Sequence, residues 1–310
     1  MWGLLMIEIR MKKEQLKTAC QVHFEAIRAY VQHQKREYQE LLYQDINAII
    51  SYEKNFDDCI RTSDWNWLAR FLLADMDQLR EWTGKEEQLQ FDQFLRLYKN
   101  RFSAGAGKYV DDTTRYNSYS LIRNLGLMVC PYCDEEYLDV VESGEGKIVR
   151  TLELDHFFPK GRYPALALCF FNLIPSGQAC NGLKLEQNLG MSPYERKIEE
   201  HTWLYPDFPI GKNMEQVTVE ECVIRFHPTN GMEKNVSVLC LEERYQKHKA
   251  RAHKYLKLKQ QYNEQKVTEM VKAGFFSSVD EAYRVLYEEP LEGDGQPQLL
   301  TKLKHDITGR

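Results

Sequence analysis

The sequence has no surplus of positive charge. Its 41 lysines and arginines face 46 aspartates and glutamates, a formal net charge of -5 over 310 residues. A surface coated for nucleic acid is thereby excluded, and any contact with DNA or RNA must rest on a local basic patch. A second absence is an apolar run of membrane-spanning length. The opening stretch, residues 2–7, is far shorter than the roughly 20 residues a bilayer requires, and no basic segment or cleavage site accompanies it. The expectation is a cytoplasmic protein with no membrane partner. A third is a nucleotide-binding loop: Ser103-Ala-Gly-Ala-Gly-Lys carries glycines and a lysine but none of the other features of a phosphate cradle, so it reads as a linker. The eight cysteines, without a secretory signal, imply reduced thiols rather than a disulfide framework.

What remains is ordinary for a soluble globular chain, 43% hydrophobic and 28% charged, and long enough for two or three domains. From residue 12 to about 50 the apolar positions Leu16, Cys20, Phe24, Ile27, Val31, Tyr38, Leu42, Ile46 and Ile49 recur at steps of three and four. That spacing predicts one amphipathic helix on the order of 50 Å long, of the kind that docks a partner. Residues 64–82, after an N-cap signal at Ser63-Asp64, and residues 87–102 predict two more. Their aromatic stripes read as core. Residues 1–114 thus form a helical N-terminal domain.

Residues 130–184 concentrate the chemistry. A Cys130-Pro-Tyr-Cys133 knuckle is followed by Asp155-His156, by Asn172, and by Cys180-Asn181 with Lys184 three residues on. Residues 137–141 and 148–154 read as paired strands joined by Glu-Ser-Gly-Glu-Gly-Lys, with Asp155-His156 at the end of the second. Residues 172–174 read as a brief strand, and a short helix starts near Cys180. Before them, residues 116–125 read as a helix stopped by Gly126. Taken singly, Asp155 and His156 suit a strand-end ion pair, Asn172 and Asn181 suit turns and caps, and Lys184 suits a solvated surface. Their combination points to a metal site.

The pattern resembles an HNH endonuclease, the ββα-metal fold, in the version with a cysteine knuckle. More narrowly, YNSYSLIRNLGLMVCPYC, LDHFFPKGRYPALALCFFNLIPSGQACN and LCLEERYQKHK resemble the HNH components encoded beside ATPases in Septu-type phage-defence systems. The resemblance spans roughly residues 115–255. It implies that Asp155 binds a catalytic divalent ion, that His156 is the general base, that Asn172 ties down the loop and orients that base, and that Asn181 completes the metal site. Hard oxygen ligands of this kind favour Mg²⁺ or Mn²⁺, and Lys184 is placed to contact the phosphate. The family's knuckle also holds a structural zinc through two CxxC pairs. Here Gly177 stands where the first cysteine of the second pair belongs, leaving Cys130, Cys133 and Cys180. The fourth zinc ligand is then Cys169, a distant histidine or water, or the metal has been lost.

Beyond the site, residues 191–211 read as irregular, and residues 216–226 and 235–241 as strands paired through the turn 228–231. Together with the site they form a module over residues 115–241. Residues 242–272 predict a helix whose first two-thirds holds Arg244, Lys247, Lys249, Arg251, Lys254, Lys257 and Lys259, a candidate phosphate-binding face. A further helix at 279–288 and a short terminal helix, a candidate docking tail, complete a C-terminal region over 242–310. The fold class is α+β. Three functions are open: an HNH endonuclease acting on DNA with an ATPase partner in antiviral defence, the same chemistry on RNA or tRNA, and a non-catalytic nucleic-acid-binding adaptor.

Overall fold

The structure is a computed structural model that describes residues 9, 13–103, 108–142, 144, 148–213, 215–287 and 299–309. The opening apolar stretch, positions 104–107 of the expected linker and the segment after Pro290 lie outside the described residues. The chain is α+β, with helices predominating and the strands gathered into three two-stranded antiparallel sheets. No helix among the described residues is long and apolar enough to cross a membrane.

The expected 50 Å helix is two, α1 (Lys13–Gln32) and α2 (Arg36–Ile50). Lys35 is extended at the break, and the Gln39 side chain donates to the carbonyls of Gln32 and Gln34, taking up acceptors that a continuing helix would have used. After α3 (Phe56–Arg61), the second expected helix also divides, into α4 (Asn66–Leu72) and α5 (Met76–Thr83). Asp75 and Gln78 form a reciprocal capping box that starts α5 afresh. The third is a 3₁₀ turn (Glu86–Leu89) followed by α6 (Gln93–Leu97), which runs on through a π turn to Phe102. Helix α7 (Ser118–Leu125) ends at Gly126 in the left-handed region, as its sequence predicts.

The central stretch differs from expectation in one instructive way. Strand β1 (Val140–Glu142) pairs with β2 (Ile148–Arg150), but the chain then leaves that hairpin. Strand β3 (Leu152–His156) pairs instead with β4 (Leu173–Gly177), and α8 (Gln178–Lys184) follows at once. A ββα unit therefore exists, built from β3, β4 and α8 rather than from the first hairpin.

The expected strand pair at 216–226 and 235–241 does not form. Strand β5 (Thr202–Asp207) lies in the stretch read as irregular and takes β6 (Val223–Pro228) as its partner, and residues beyond the turn coil into α9 (Met232–Val238). Buried Asn235 explains the helix: its side chain accepts the N–H groups of Gly190 and Met191 and donates to the Met191 carbonyl. Gly190 lies so close to Gly231 that a Cβ there would overlap its carbonyl. The expected basic helix is broken into α10 (Leu241–Tyr245), a 3₁₀ turn, α11 (Lys249–Gln261) and α12 (Glu264–Lys272), the last started by an Asn263 cap. Helix α13 (Val279–Leu286) follows. The terminal helix α14 (Thr301–Thr308) is no loose tail. It buries Leu303 and Ile307, Asp134 accepts the Lys302 N–H, and Asp306 accepts the Leu204 N–H at 2.6 Å.

One continuous apolar core runs from Ala19 to Ile307. The N-terminal helices reach the ββα unit directly, with α1 against α7 and α6 against the 3₁₀ turn Pro164–Leu168. Fully buried His23 of α1 marks that contact: its ring lies 2.7 Å from the Leu168 carbonyl and 2.9 Å from the Tyr116 hydroxyl. Burial pushes its pKa down to about 4. The folded chain therefore takes up this proton less readily than the unfolded chain does. Stability should be complete above about pH 6.5 and decline towards pH 4, by on the order of 3 kcal/mol from this residue. Urea midpoints measured across that window should fall less steeply for His23→Gln than for the wild type. Parallel slopes would refute the assignment.

Candidate functional site

Antiparallel pairing sets Asp155 opposite Ile174 and His156 opposite Leu173, and α8 packs across both strands. Three of the predicted site residues, Asp155, His156 and Asn181, consequently line one pocket of about 230 Å³, together with Pro159, Lys160, Gly161, Leu185 and Glu186.

Asp155 is held from two sides. Tyr132, inside the knuckle, donates its hydroxyl to Oδ2 at 2.7 Å, and Lys184 places Nζ 3.1 Å from Oδ1. The same ammonium donates to the His156 carbonyl at 2.7 Å. Lys184 is fully buried and does not line the pocket, so it is not positioned for the phosphate contact expected of it. Burial inside the fold has turned it into the partner of Asp155. Each carboxylate oxygen has one protein partner here and retains a lone pair, which suits a hard cation.

His156 has a defined tautomer. Its Nε2 lies 3.0 Å from the Ala167 carbonyl, which can only accept, so Nε2 carries the proton and Nδ1 the lone pair. Nδ1 is buried without a hydrogen-bond partner among the described residues. The Tyr98 ring stands edge-on at 4.6 Å. Burial first, then the positive charges of Lys160 and Lys184, push the imidazole pKa down to about 3, against the raising effect of the Ala167 bond. The ring is neutral at physiological pH.

Asn172 is outside the pocket and fully buried. It accepts the Phe158 N–H at 2.7 Å and donates to the carbonyls of Phe158 and Leu166. It thereby closes the long loop between β3 and β4, the loop that carries Ala167 and so the acceptor for His156.

Two pocket residues escaped the sequence reading. Lys160 is half-buried beside His156, its ammonium 5.7 Å from the Tyr98 ring centroid, and burial lowers its pKa. Exposed Glu186 follows Leu185, a non-glycine residue at φ 47° that ends α8. A Cβ on Gly161 would meet the Glu186 carboxylate, so the missing side chain leaves room for it on the pocket rim. The Pro159-Lys-Gly161 turn signals a change of direction in the sequence; nothing there signals a shared wall with Glu186.

The knuckle meets the same unit through Tyr132 and through Cys180 of α8. Cys130, Cys133 and Cys180 are fully buried, with sulfurs all within 4.8 Å of one another, the one such grouping of three or more potential ligands among the described residues. Cys133 and Asp134 donate their N–H groups to the Cys130 carbonyl, and the Gly177 N–H points at the Cys130 sulfur at 3.2 Å. Hydrogen bonds from Cys130 and Cys133 hold the Cys180 thiol well below its ordinary pKa, helped by the Arg244 guanidinium 3.2 Å away. This cluster can hold a metal such as zinc, being three soft ligands of the four a closed site takes. Cys169 does not supply the fourth: it lies in the core, donating to the Phe71 carbonyl at 3.5 Å, and no described histidine joins the cluster.

Arg244 and its neighbours also correct the picture of a uniformly basic helix. Arg244, Lys247 and His248 converge on the Glu135 carboxylate, and Lys259 donates to the Ile307 carbonyl. Much of that charge is spent on anchoring the knuckle and α14.

Comparison of the chain with protein-family models, curated proteins and solved structures finds no match.

Because Lys184 and Asp155 are both buried, removing one strands the other. Lys184→Met should cost about 3–5 kcal/mol in urea unfolding, and Lys184→Met combined with Asp155→Asn clearly less than the two single losses added. Strict additivity would contradict the pairing.

Proposed function

We propose that this chain is a metal-dependent endonuclease of the HNH type, hydrolysing DNA phosphodiesters as the nuclease subunit of an ATPase-containing antiviral complex. The observation that carries the chemistry is the unpartnered Nδ1 of His156, a residue that lines one pocket with Asp155 and Asn181. The ATPase and the defence setting rest on the sequence resemblance alone.

In this reading Asp155, already fixed by Tyr132 and Lys184, and the Asn181 amide oxygen would hold the divalent ion. When bound, Mg²⁺ or Mn²⁺ offsets charge on the phosphate and the leaving oxygen. His156 accepts the proton of the attacking water at Nδ1, its ring orientation set by the Ala167 carbonyl. Its low pKa reflects burial first and then the positive charges of Lys160 and Lys184. An arriving phosphate brings negative charge beside the same ring and returns the imidazole towards the range in which it accepts a proton. Lys160, the cation on the pocket wall, takes the phosphate-binding role first given to Lys184. Asn172 acts at one remove, by holding the loop that presents Ala167.

The test is cleavage of plasmid DNA and of bulk RNA with Mg²⁺ or Mn²⁺, with and without an ATPase encoded alongside. The expected outcome is metal-dependent nicking of DNA, a loss of at least about 100-fold for His156→Ala with unchanged circular dichroism, and a raised KM for Lys160→Ala. Preferential cutting of RNA would move the substrate class. A His156→Ala variant as active as the wild type would remove the proposed base.

A further inference from the structure

The knuckle presents three cysteines where a closed zinc site takes four protein ligands. The fourth position of the related pattern falls on Gly177, which has no side chain, yet the space of that side chain is filled. A Cβ built on Gly177 would run into the Glu136 carboxylate, and no other neighbour approaches as closely. Glu136 belongs to the knuckle itself, three residues after Cys133, and its backbone carbonyl accepts the Cys130 N–H at 2.9 Å. Its Oε1 lies 3.8 Å from the Cys133 sulfur. That is close to the edge of roughly 3.5 Å expected between a sulfur and an oxygen bound tetrahedrally to one zinc ion at ordinary bond lengths.

We propose that Glu136 takes the place of the missing cysteine and completes a zinc site with Cys130, Cys133 and Cys180. As folded, the carboxylate does not lie within 4.8 Å of all three sulfurs. It is parked one step away, receiving Arg244 Nη2 at 2.9 Å and the Ala179 N–H. A turn about the flexible glutamate side chain carries it onto the ion. Glycine at 177 is then a requirement: any side chain there would occupy the path of the carboxylate.

Arg244 fits the same arrangement from outside the ligand shell. Three thiolates and a carboxylate exceed the charge of a divalent ion by two. The guanidinium bridges two of these ligands, with Nη1 3.2 Å from the Cys180 sulfur and Nη2 on Glu136, and offsets half of the excess. Soft sulfur donors with one oxygen select zinc over magnesium, so this site and the pocket of Asp155 would take different metals without competing.

Full-length protein from zinc-replete cells should carry about one zinc per chain by inductively coupled plasma mass spectrometry. Its Co²⁺-substituted form should show tetrahedral ligand-field bands with thiolate charge transfer. Glu136→Gln keeps an acceptor for the Ala179 N–H, so that hydrogen bond to the first turn of α8 survives. It should lower zinc affinity in chelator competition by more than the roughly 10–100-fold typical of losing an outer-shell partner, and should shift the Co²⁺ bands. Arg244→Gln should stay within that smaller range, and Gly177→Cys added to Glu136→Ala, which clears the space beside residue 177, should restore tight binding by supplying a fourth thiolate. Wild-type protein that binds neither Zn²⁺ nor Co²⁺ would overturn the proposal. A Glu136→Gln variant with wild-type affinity and an unchanged Co²⁺ spectrum would overturn it equally, by showing that water fills the fourth position.

Discussion

The ion pair between Lys184 and Asp155 is the constraint on which the site depends. Removing an ammonium and a carboxylate from water costs several kcal/mol for each, and their attraction offsets this only when the remaining donors and acceptors are satisfied. Here Tyr132 serves the second carboxylate oxygen and the His156 carbonyl takes a second hydrogen bond from the ammonium. One interaction thus joins the knuckle, the end of β3 and the last turn of α8. None of the three can shift without exposing an uncompensated charge, so Asp155, His156 and Asn181 are placed by the same bond that stabilises the unit.

Helix α8 contributes to two chemistries. Cys180 and Asn181 are neighbours in sequence, about 100° apart around the helix axis, and they face different surroundings: a buried sulfur cluster on one side and the oxygen-lined pocket on the other. Distant parts of the chain reinforce the sulfur side. Arg244 reaches Cys180 and Glu135, the Tyr245 hydroxyl donates to the Cys133 carbonyl at 2.6 Å, and Asp134 anchors the start of α14. The knuckle is therefore held by distant parts of the chain as well as by its own turn.

The polar residues of the site were legible in sequence because their identities and spacing are unusual as a set, and the short helix after Gly177 and the left-handed stop at Gly126 follow from local rules. Other features were decided by tertiary contacts that periodicity does not register. Asn235-Val-Ser-Val alternates like a strand, yet the buried amide of Asn235, bound to the backbone at Gly190 and Met191, fixes it as a helix. The stretch 202–207 contains Pro206 and reads as irregular, but its alternating burial finds a partner in β6. The N-terminal pattern keeps its helical step across His33 to Lys35 although the chain turns there, because the side chain of Gln39 supplies the hydrogen bonds of the turn. Lys184 looks like any surface lysine in sequence; only the fold shows it as the buried partner of Asp155. Glu136 is hidden for a related reason, since its importance lies in the space that Gly177 leaves open.

The central claim is that the pocket bounded by Asp155, His156 and Asn181 receives a hard cation beside a neutral imidazole. Anomalous diffraction from crystals grown with Mn²⁺ and a non-cleavable phosphodiester tests it most directly. The account predicts a manganese peak in contact with Asp155 and the Asn181 amide oxygen, with His156 Nδ1 within reach of a water bound near the phosphate. A pocket free of anomalous signal while Mn²⁺ occupies only surface carboxylates would contradict it.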